Sequence, residues 1–66
     1  MKIIINGETK EFQEKMTIGE LLLLLKLDGK VMAAAVNMQI VKQDMWDKFS
    51  LNDGDKLELL DFVGGG

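Results

Sequence analysis

One amphipathic helix with a well-marked start is predicted in the first half of the chain. Thr17 and Glu20 have the spacing of a capping box, in which each side chain accepts a hydrogen bond from the backbone N–H of the other residue. The apolar residues that follow have the spacing of one helix face: Ile18, Leu21, Leu22 and Leu25. Asp28-Gly29 is expected to end the helix, because glycine adopts the left-handed conformation without steric cost. A helix with a single apolar face has to cover another layer, and here a sheet is expected.

Leu23 and Leu24 lie off that face and extend the leucines to a run of five. Packing around a small core is the favoured interpretation of these two residues, and a partner-binding face is the alternative. The run is far shorter than the ~20 apolar residues of a spanning helix, so no membrane segment is predicted.

Strand patterns precede the helix. β-branched residues fill the start of the chain up to Ile5, and Asn6-Gly7 is typical of a tight hairpin turn. A second strand, at an edge of the sheet, is predicted from Thr9 to Glu14 with Phe12 as its apolar anchor.

Further strand patterns follow the helix. Val31 to Val36 is predicted to be a strand that is buried on both sides or faces close backbone. Asn37 to Gln39 then turns the chain into a short fourth strand, with Met38 where a tight hairpin usually has glycine. Lys42 to Phe49 is predicted to form a helical turn that packs Trp46 or Phe49 against the core.

The last strand is predicted from Lys56 to Val63, after a turn at Asn52 to Asp55. Its side chains are expected to alternate between two faces: Leu57 and Leu59 on one, and Glu58, Leu60 and Phe62 on the other. Two apolar residues on the open face, close to the chain end, indicate a surface that another protein covers.

This order of elements predicts an α+β fold of two layers, with one main helix on one face of a mixed sheet of about five strands. If the first and last strands pair at the sheet centre, they run parallel, because the helical crossover intervenes. That arrangement is the β-grasp, or ubiquitin-like, topology. The predicted domain covers residues 1–63, and residues 64–66 are predicted to be a flexible glycine tail.

Three glycines, Gly64 to Gly66, directly follow the last strand. Glycine has no Cβ, so such a segment passes through a channel too narrow for other residues and presents its carboxylate inside a partner. The terminal carboxylate is therefore the candidate functional group. A frayed chain end is the alternative.

Composition narrows the classes of function. The chain has 66 residues, which leaves little material for the walls of an enzyme pocket, so a binding or accessory role is favoured. It has no Cys and no His, which excludes disulfides, Cys/His metal sites and thiol nucleophiles and favours a cytoplasmic location. The net charge of −3 is mixed along the chain, so nucleic acid is not an expected partner.

The chain resembles the ThiS family of sulfur carriers of thiamine biosynthesis over essentially its whole length. Four stretches carry the resemblance: Ile5-Asn6-Gly7, Thr17 to Leu22, Ala35 to Val41, and Asp53-Gly54-Asp55 with Asp61 to Gly66.

The resemblance implies a carrier that is not itself an enzyme and binds no cofactor. An E1-like, ThiF-type partner would use ATP to adenylate Gly66, and a sulfur donor system would convert it to a thiocarboxylate. A ThiG-type thiazole synthase would receive the sulfur. Gly64 and Gly65 would thread the partner's active site.

Partner docking is assigned to residues of the last strand: Leu60, Phe62 and Val63 by burial, and Glu58 and Asp61 by electrostatic steering. Ordinary strand packing and solvation are the alternative, and for the two acids this alternative is not disfavoured. Three alternatives remain at this stage. The small subunit of molybdopterin synthase and a ubiquitin-like protein modifier share the activation chemistry. A β-grasp interaction module would have no terminal chemistry at all.

Overall fold

The computed structural model describes residues 1–61, with Asp61 described by its backbone alone. The elements follow in this order: β1 (Lys2–Ile5), β2 (Glu8–Glu11), α1 (Ile18–Leu24), β3 (Val31–Val36), β4 (Gln39–Val41), a 3-10 turn (Gln43–Met45) and β5 (Lys56–Asp61). The predicted order is confirmed. The predicted boundary between residues 1–63 and the tail at 64–66 lies outside the described residues.

The five strands form one mixed sheet in the order β2-β1-β5-β3-β4. β1 and β5 are parallel, with Ile4 opposite Lys56 and Ile5 opposite Leu57, and the other neighbouring strands are antiparallel. The expected central pairing of the first and last strands is therefore confirmed. Within residues 1–61, no helix is long and apolar enough to cross a membrane.

The hydrophobic core is built from apolar side chains of the helix, the sheet and the loops. Its buried members are Ile3, Ile5, Phe12, Ile18, Leu21, Leu22, Val31, Ala34, Val36, Val41, Leu51 and Leu57. Leu25, the fourth residue of the predicted helix face, is half-buried against them. Trp46 and Phe49 also pack on this core, as predicted, and the Trp46 indole N–H donates to the Val41 carbonyl at 2.7 Å.

The start of α1 is the predicted capping box. The Thr17 N–H donates to the Glu20 carboxylate at 2.9 Å, and the Glu20 N–H donates to the Thr17 hydroxyl at 3.2 Å. Two further first-turn donors bond to the segment after β4: Ile18 N–H to the Phe49 carbonyl at 3.1 Å, and Gly19 N–H to the Trp46 carbonyl at 3.0 Å. All four N–H groups at the start of the helix are thus satisfied.

The helix ends earlier than predicted. Leu25 is its C-cap, and Lys26, not Gly29, has the left-handed conformation that closes it, with φ of 61°. The Leu27 N–H bonds to the Leu22 carbonyl at 2.7 Å and the Lys26 N–H to the Leu23 carbonyl at 3.1 Å, which is the Schellman pattern. Leu27 then packs on the core, and this burial explains why a lysine accepts a strained conformation here.

Two further predictions about element limits and burial are wrong. β2 ends at Glu11 instead of Glu14, although Phe12 is buried as its predicted apolar anchor. β3 is buried on one face instead of two: Ala34 and Val36 lie in the core, while Ala33 and Ala35 are half-exposed on the open face. Met32 is exposed at the bulge between Val31 and Ala33.

Leu23 and Leu24 are not packed in the core. Their side chains are 62% and 61% exposed on the helix side of the molecule. The favoured interpretation of core packing is therefore wrong for these two residues.

The two tight hairpins have matching turns. Asn6 and Gly7 join β1 to β2 with φ of 49° and 84°, and Asn37 and Met38 join β3 to β4 with φ of 50° and 70°. Positive φ at both central residues is the geometry that fits the twist of a hairpin. Met38 therefore occupies a position suited to glycine, with its side chain 89% exposed.

Met38→Gly is expected to stabilise the fold by about 1 kcal/mol. A side chain in the left-handed region costs about 1–2 kcal/mol, and the larger conformational entropy that glycine loses on folding offsets part of the gain from removing it. In thermal unfolding, this corresponds to a Tm higher by about 4–8 °C. Gly7→Met is the matched control at the same turn position. An added Cβ there meets nothing within 4 Å, so only backbone strain is introduced and the Tm should fall. A Tm of Met38→Gly at or below that of the wild type would contradict the assignment of strain.

Candidate functional site

β5 presents different residues to its two faces. Leu57 is fully buried and Leu59 half-buried against the core, while Glu58 and Leu60 are exposed on the open face of the sheet. The predicted alternation is thus confirmed from Leu57 to Leu60. The other predicted site residues lie outside this description: the side chain of Asp61, and all of Phe62, Val63, Gly64, Gly65 and Gly66.

An apolar surface surrounds Leu60 on the open face. The register places Ala33 opposite Leu60, and Ala35 lies between Ile40 and Glu58. Because alanine is small, the β3 side chains leave a shallow groove of about 360 Å³ between the taller residues on either side. Ile40 is 80% exposed and Leu60 is 54% exposed. We call Ala33, Ala35, Ile40, Glu58 and Leu60 the open-face patch.

Ile40 was missed as a candidate site residue. The signal was present in the sequence: a two-residue turn at Asn37-Met38 fixes Val36 opposite Gln39 and Ala35 opposite Ile40. Since Val41 points into the core, its neighbour Ile40 has to point to the open face.

Two asparagines fix β5 from the neighbouring hairpin turns. At the start of the strand, the Asn37 Oδ1 accepts from the Lys56 N–H at 3.0 Å, and its Nδ2 donates to the Asp55 carboxylate at 3.0 Å. Further along, the Asn6 Oδ1 accepts from the Leu59 N–H at 2.8 Å. Both side chains extend from left-handed turn positions, which asparagine tolerates better than most residues.

The site offers no metal chemistry among residues 1–61, where no cluster of three or more His, Cys, Asp or Glu residues could hold an ion. Glu58 is the acidic member of the open-face patch. This part of the chain can therefore supply an apolar contact surface with one negative charge, and β5 leads from it toward the glycines.

A mixed sheet with parallel central strands and one helix packed on it defines a β-grasp protein. The crystal structure of a thiamine biosynthesis protein (ThiS) from Geobacter metallireducens has the same fold, with a TM-score of 0.83 and 30% identity over all of both chains. The ThiS family model matches residues 3–66.

Curated relatives agree with the family match. The sulfur carrier protein ThiS of Escherichia coli is 32% identical over the full length of both chains. The sulfur carrier protein ThiS of Bacillus subtilis is 30% identical over 94% of this chain and 96% of its own. A thiazole synthase of Paramagnetospirillum magneticum is 42% identical over all 66 residues, but this chain spans only 20% of its length. The chain belongs to the ThiS family, and the resemblance read from its sequence is confirmed.

The two faces of β5 should respond differently to substitution. Leu57→Ala is expected to cost about 2–5 kcal/mol of unfolding free energy, because it leaves a cavity in the core. Leu60→Glu should change this free energy by less than about 0.5 kcal/mol, as is usual for an exposed position. Urea denaturation of both variants checks the difference. A large loss of stability in Leu60→Glu would show that the open-face patch is a structural element instead of a free surface.

Proposed function

We propose that the chain is a sulfur carrier of thiamine biosynthesis whose cargo is held on the carboxyl group of Gly66. The observation that best supports the proposal is the full-length match to the Escherichia coli sulfur carrier, which extends through the glycines. The fold described above contributes a body that binds partners, and the chemistry takes place at the terminus.

The proposed chemistry needs an activating partner because a carboxylate does not accept a nucleophile directly. The carboxylate oxygen attacks the α-phosphate of ATP, which releases pyrophosphate and forms an acyl-adenylate. A sulfur nucleophile from a donor system then displaces AMP, and the terminal C–O bond is replaced by a C–S bond. The ATP belongs to an E1-like, ThiF-type enzyme, and the carrier acts as its protein substrate.

The proposed acceptor of the sulfur is a thiazole synthase of the ThiG type. A carrier-like segment makes up a fifth of the relative named thiazole synthase, and this supports a functional link between the two. When the C–S bond breaks and the sulfur passes to the acceptor, an oxygen atom from water or from the acceptor substrate bonds to the terminal carbon, which restores the carboxylate so that the carrier can be reloaded.

Docking is proposed to use the open-face patch. Leu60 and Ile40 would bury apolar area in the partner, and Glu58 would steer the approach to a basic surface. The residues beyond β5 that were assigned to docking, Phe62 and Val63, and the Asp61 carboxylate extend this proposal toward the terminus. Gly64 and Gly65 would occupy the narrow entry to the active site, where a side chain would not fit.

The proposed loading reaction is tested by intact-mass spectrometry. After incubation with ATP, a sulfur donor and a ThiF-type enzyme, the mass should rise by the difference between one sulfur and one oxygen, with the change localised to Gly66. A chain lacking Gly65 and Gly66 should take up no sulfur, while its Tm stays within a few degrees of the wild type. No mass change in the full chain, with a known carrier loaded in parallel, would refute the proposal.

The proposed docking surface is tested by the affinity for the activating enzyme. Leu60→Glu and Ile40→Glu should each weaken binding about tenfold, because a buried contact worth roughly 1.4 kcal/mol is lost. Leu23→Glu is the matched control: Leu23 is similarly exposed, but it lies on the helix side. Isothermal titration of the three variants separates the faces. Equal affinity of Leu60→Glu and wild type would remove the open-face patch from the interface.

A further inference from the structure

Asn6 lies directly after the last paired residue of β1, where the pairing of β1 with β5 ends. The two strands are paired at Ile4 with Lys56 and at Ile5 with Leu57. The Asn6 N–H then makes the last backbone bond of this ladder, to the Leu57 carbonyl at 3.0 Å. At Asn6 the backbone turns into the hairpin, with φ of 49°, and leaves β5.

The Asn6 side chain continues the ladder for one further step. In a parallel pair, a residue donates its N–H to one neighbour and accepts at its C=O from the residue two positions further along. Asn6 donates to the Leu57 carbonyl, and its Oδ1 accepts from the Leu59 N–H at 2.8 Å. The amide oxygen therefore takes the place of the backbone carbonyl that a longer β1 would supply.

Beyond Leu59, β5 has a neighbouring strand on one side only within residues 1–61. That neighbour is β3, where Ala33 faces Leu60 and Val31 faces Asp61 across a bulge. The bond from Leu59 to Asn6 is thus the last strand-type contact on the β1 side before the chain continues toward Gly66. Gly66 lies seven positions beyond Leu59 in the sequence, so the bond to Asn6 fixes the direction of β5 only a short way before the terminus.

We propose that Asn6 is a positioning residue for sulfur loading: its Oδ1 holds β5 at Leu59 and so directs the terminal carboxylate into the active site of the activating enzyme. This inference rests on the function proposed above. Asn6 touches no reacting atom, and although it borders the groove of the open-face patch, its Oδ1 is engaged by the Leu59 N–H of β5 instead of being free for a partner. Loss of the Asn6 side chain should therefore lower the turnover of the docked complex and leave docking unchanged.

The test compares three variants in the loading reaction with the ThiF-type enzyme, ATP and a sulfur donor, followed by intact mass. Asn6→Gly keeps the left-handed turn and removes the amide oxygen, and kcat is expected to fall about tenfold with KM unchanged. Asn6→Asp keeps an oxygen acceptor and tolerates the turn, so kcat should stay within about twofold of the wild type.

Asn37→Gly is the matched control. It removes a side chain from the equivalent turn position of the other hairpin and loses two hydrogen bonds to the start of β5. A purely structural effect would therefore reduce loading at least as much in Asn37→Gly as in Asn6→Gly, whereas positioning predicts a normal kcat for Asn37→Gly. Amide exchange at Leu59 should accelerate in Asn6→Gly and not in Asn6→Asp.

The inference is overturned if Asn6→Gly loads with the kcat of the wild type, or if Asn37→Gly loses as much kcat as Asn6→Gly. In either case a wild-type carrier that takes up sulfur leaves the proposed function standing. A wild-type chain that takes up no sulfur would instead refute the proposed function itself.

Discussion

The parallel pairing of β1 with β5 is the contact on which the rest of the molecule depends. It joins the two ends of the described chain at the centre of the sheet and places the buried Ile5 and Leu57 side by side. Two paired strands that run parallel require a crossover, and α1 with its flanking segments provides it. The helix then buries Ile18, Leu21 and Leu22 over the sheet. The outer strands β2 and β4 extend this centre through short hairpins.

The strand that closes the core also leads to the proposed reactive end. Leu57 contributes to stability on the inner face, and Leu60 is available on the outer face. Because the two faces of a strand alternate residue by residue, a carrier can keep its fold while its partner surface changes. The small residues Ala33 and Ala35 also help to keep the core face and the partner face independent, since they complete the sheet without filling the groove beside Leu60.

Local signals predicted most of the fold. The capping box at Thr17, the anchor Phe12 and the alternation along β5 each depend on residues close in sequence, and all three are confirmed. The helix end was wrong because the closing residue, Lys26, carries no sequence signal for a left-handed conformation. Its strain is accepted because Leu27 packs on the core, which is a tertiary effect.

The candidate site was harder to predict than the fold because it, too, depends on contacts between residues far apart in the sequence. The Asn6 side chain bonds a residue 53 positions away, and no local pattern contains that partner. Ile40 belongs to the open-face patch through the register of β4 against β3, which the local turn at Asn37-Met38 already fixes but which was not followed through. The glycines, in contrast, were recognisable as a candidate site from the sequence because the function proposed for them needs the absence of side chains and no particular contact.

The carbonyls of Trp46 and Phe49 that receive the first-turn N–H groups of α1 couple two segments far apart in the chain. The helix cannot open at its start without releasing the loop after β4, and that loop cannot leave without exposing unpaired helix donors and the aromatic rings that rest on the core. The two segments therefore open and close as one cooperative unit. A partner that contacts the opposite side of the sheet therefore meets a domain in which the start of the helix and the loop after β4 are held together by two backbone hydrogen bonds.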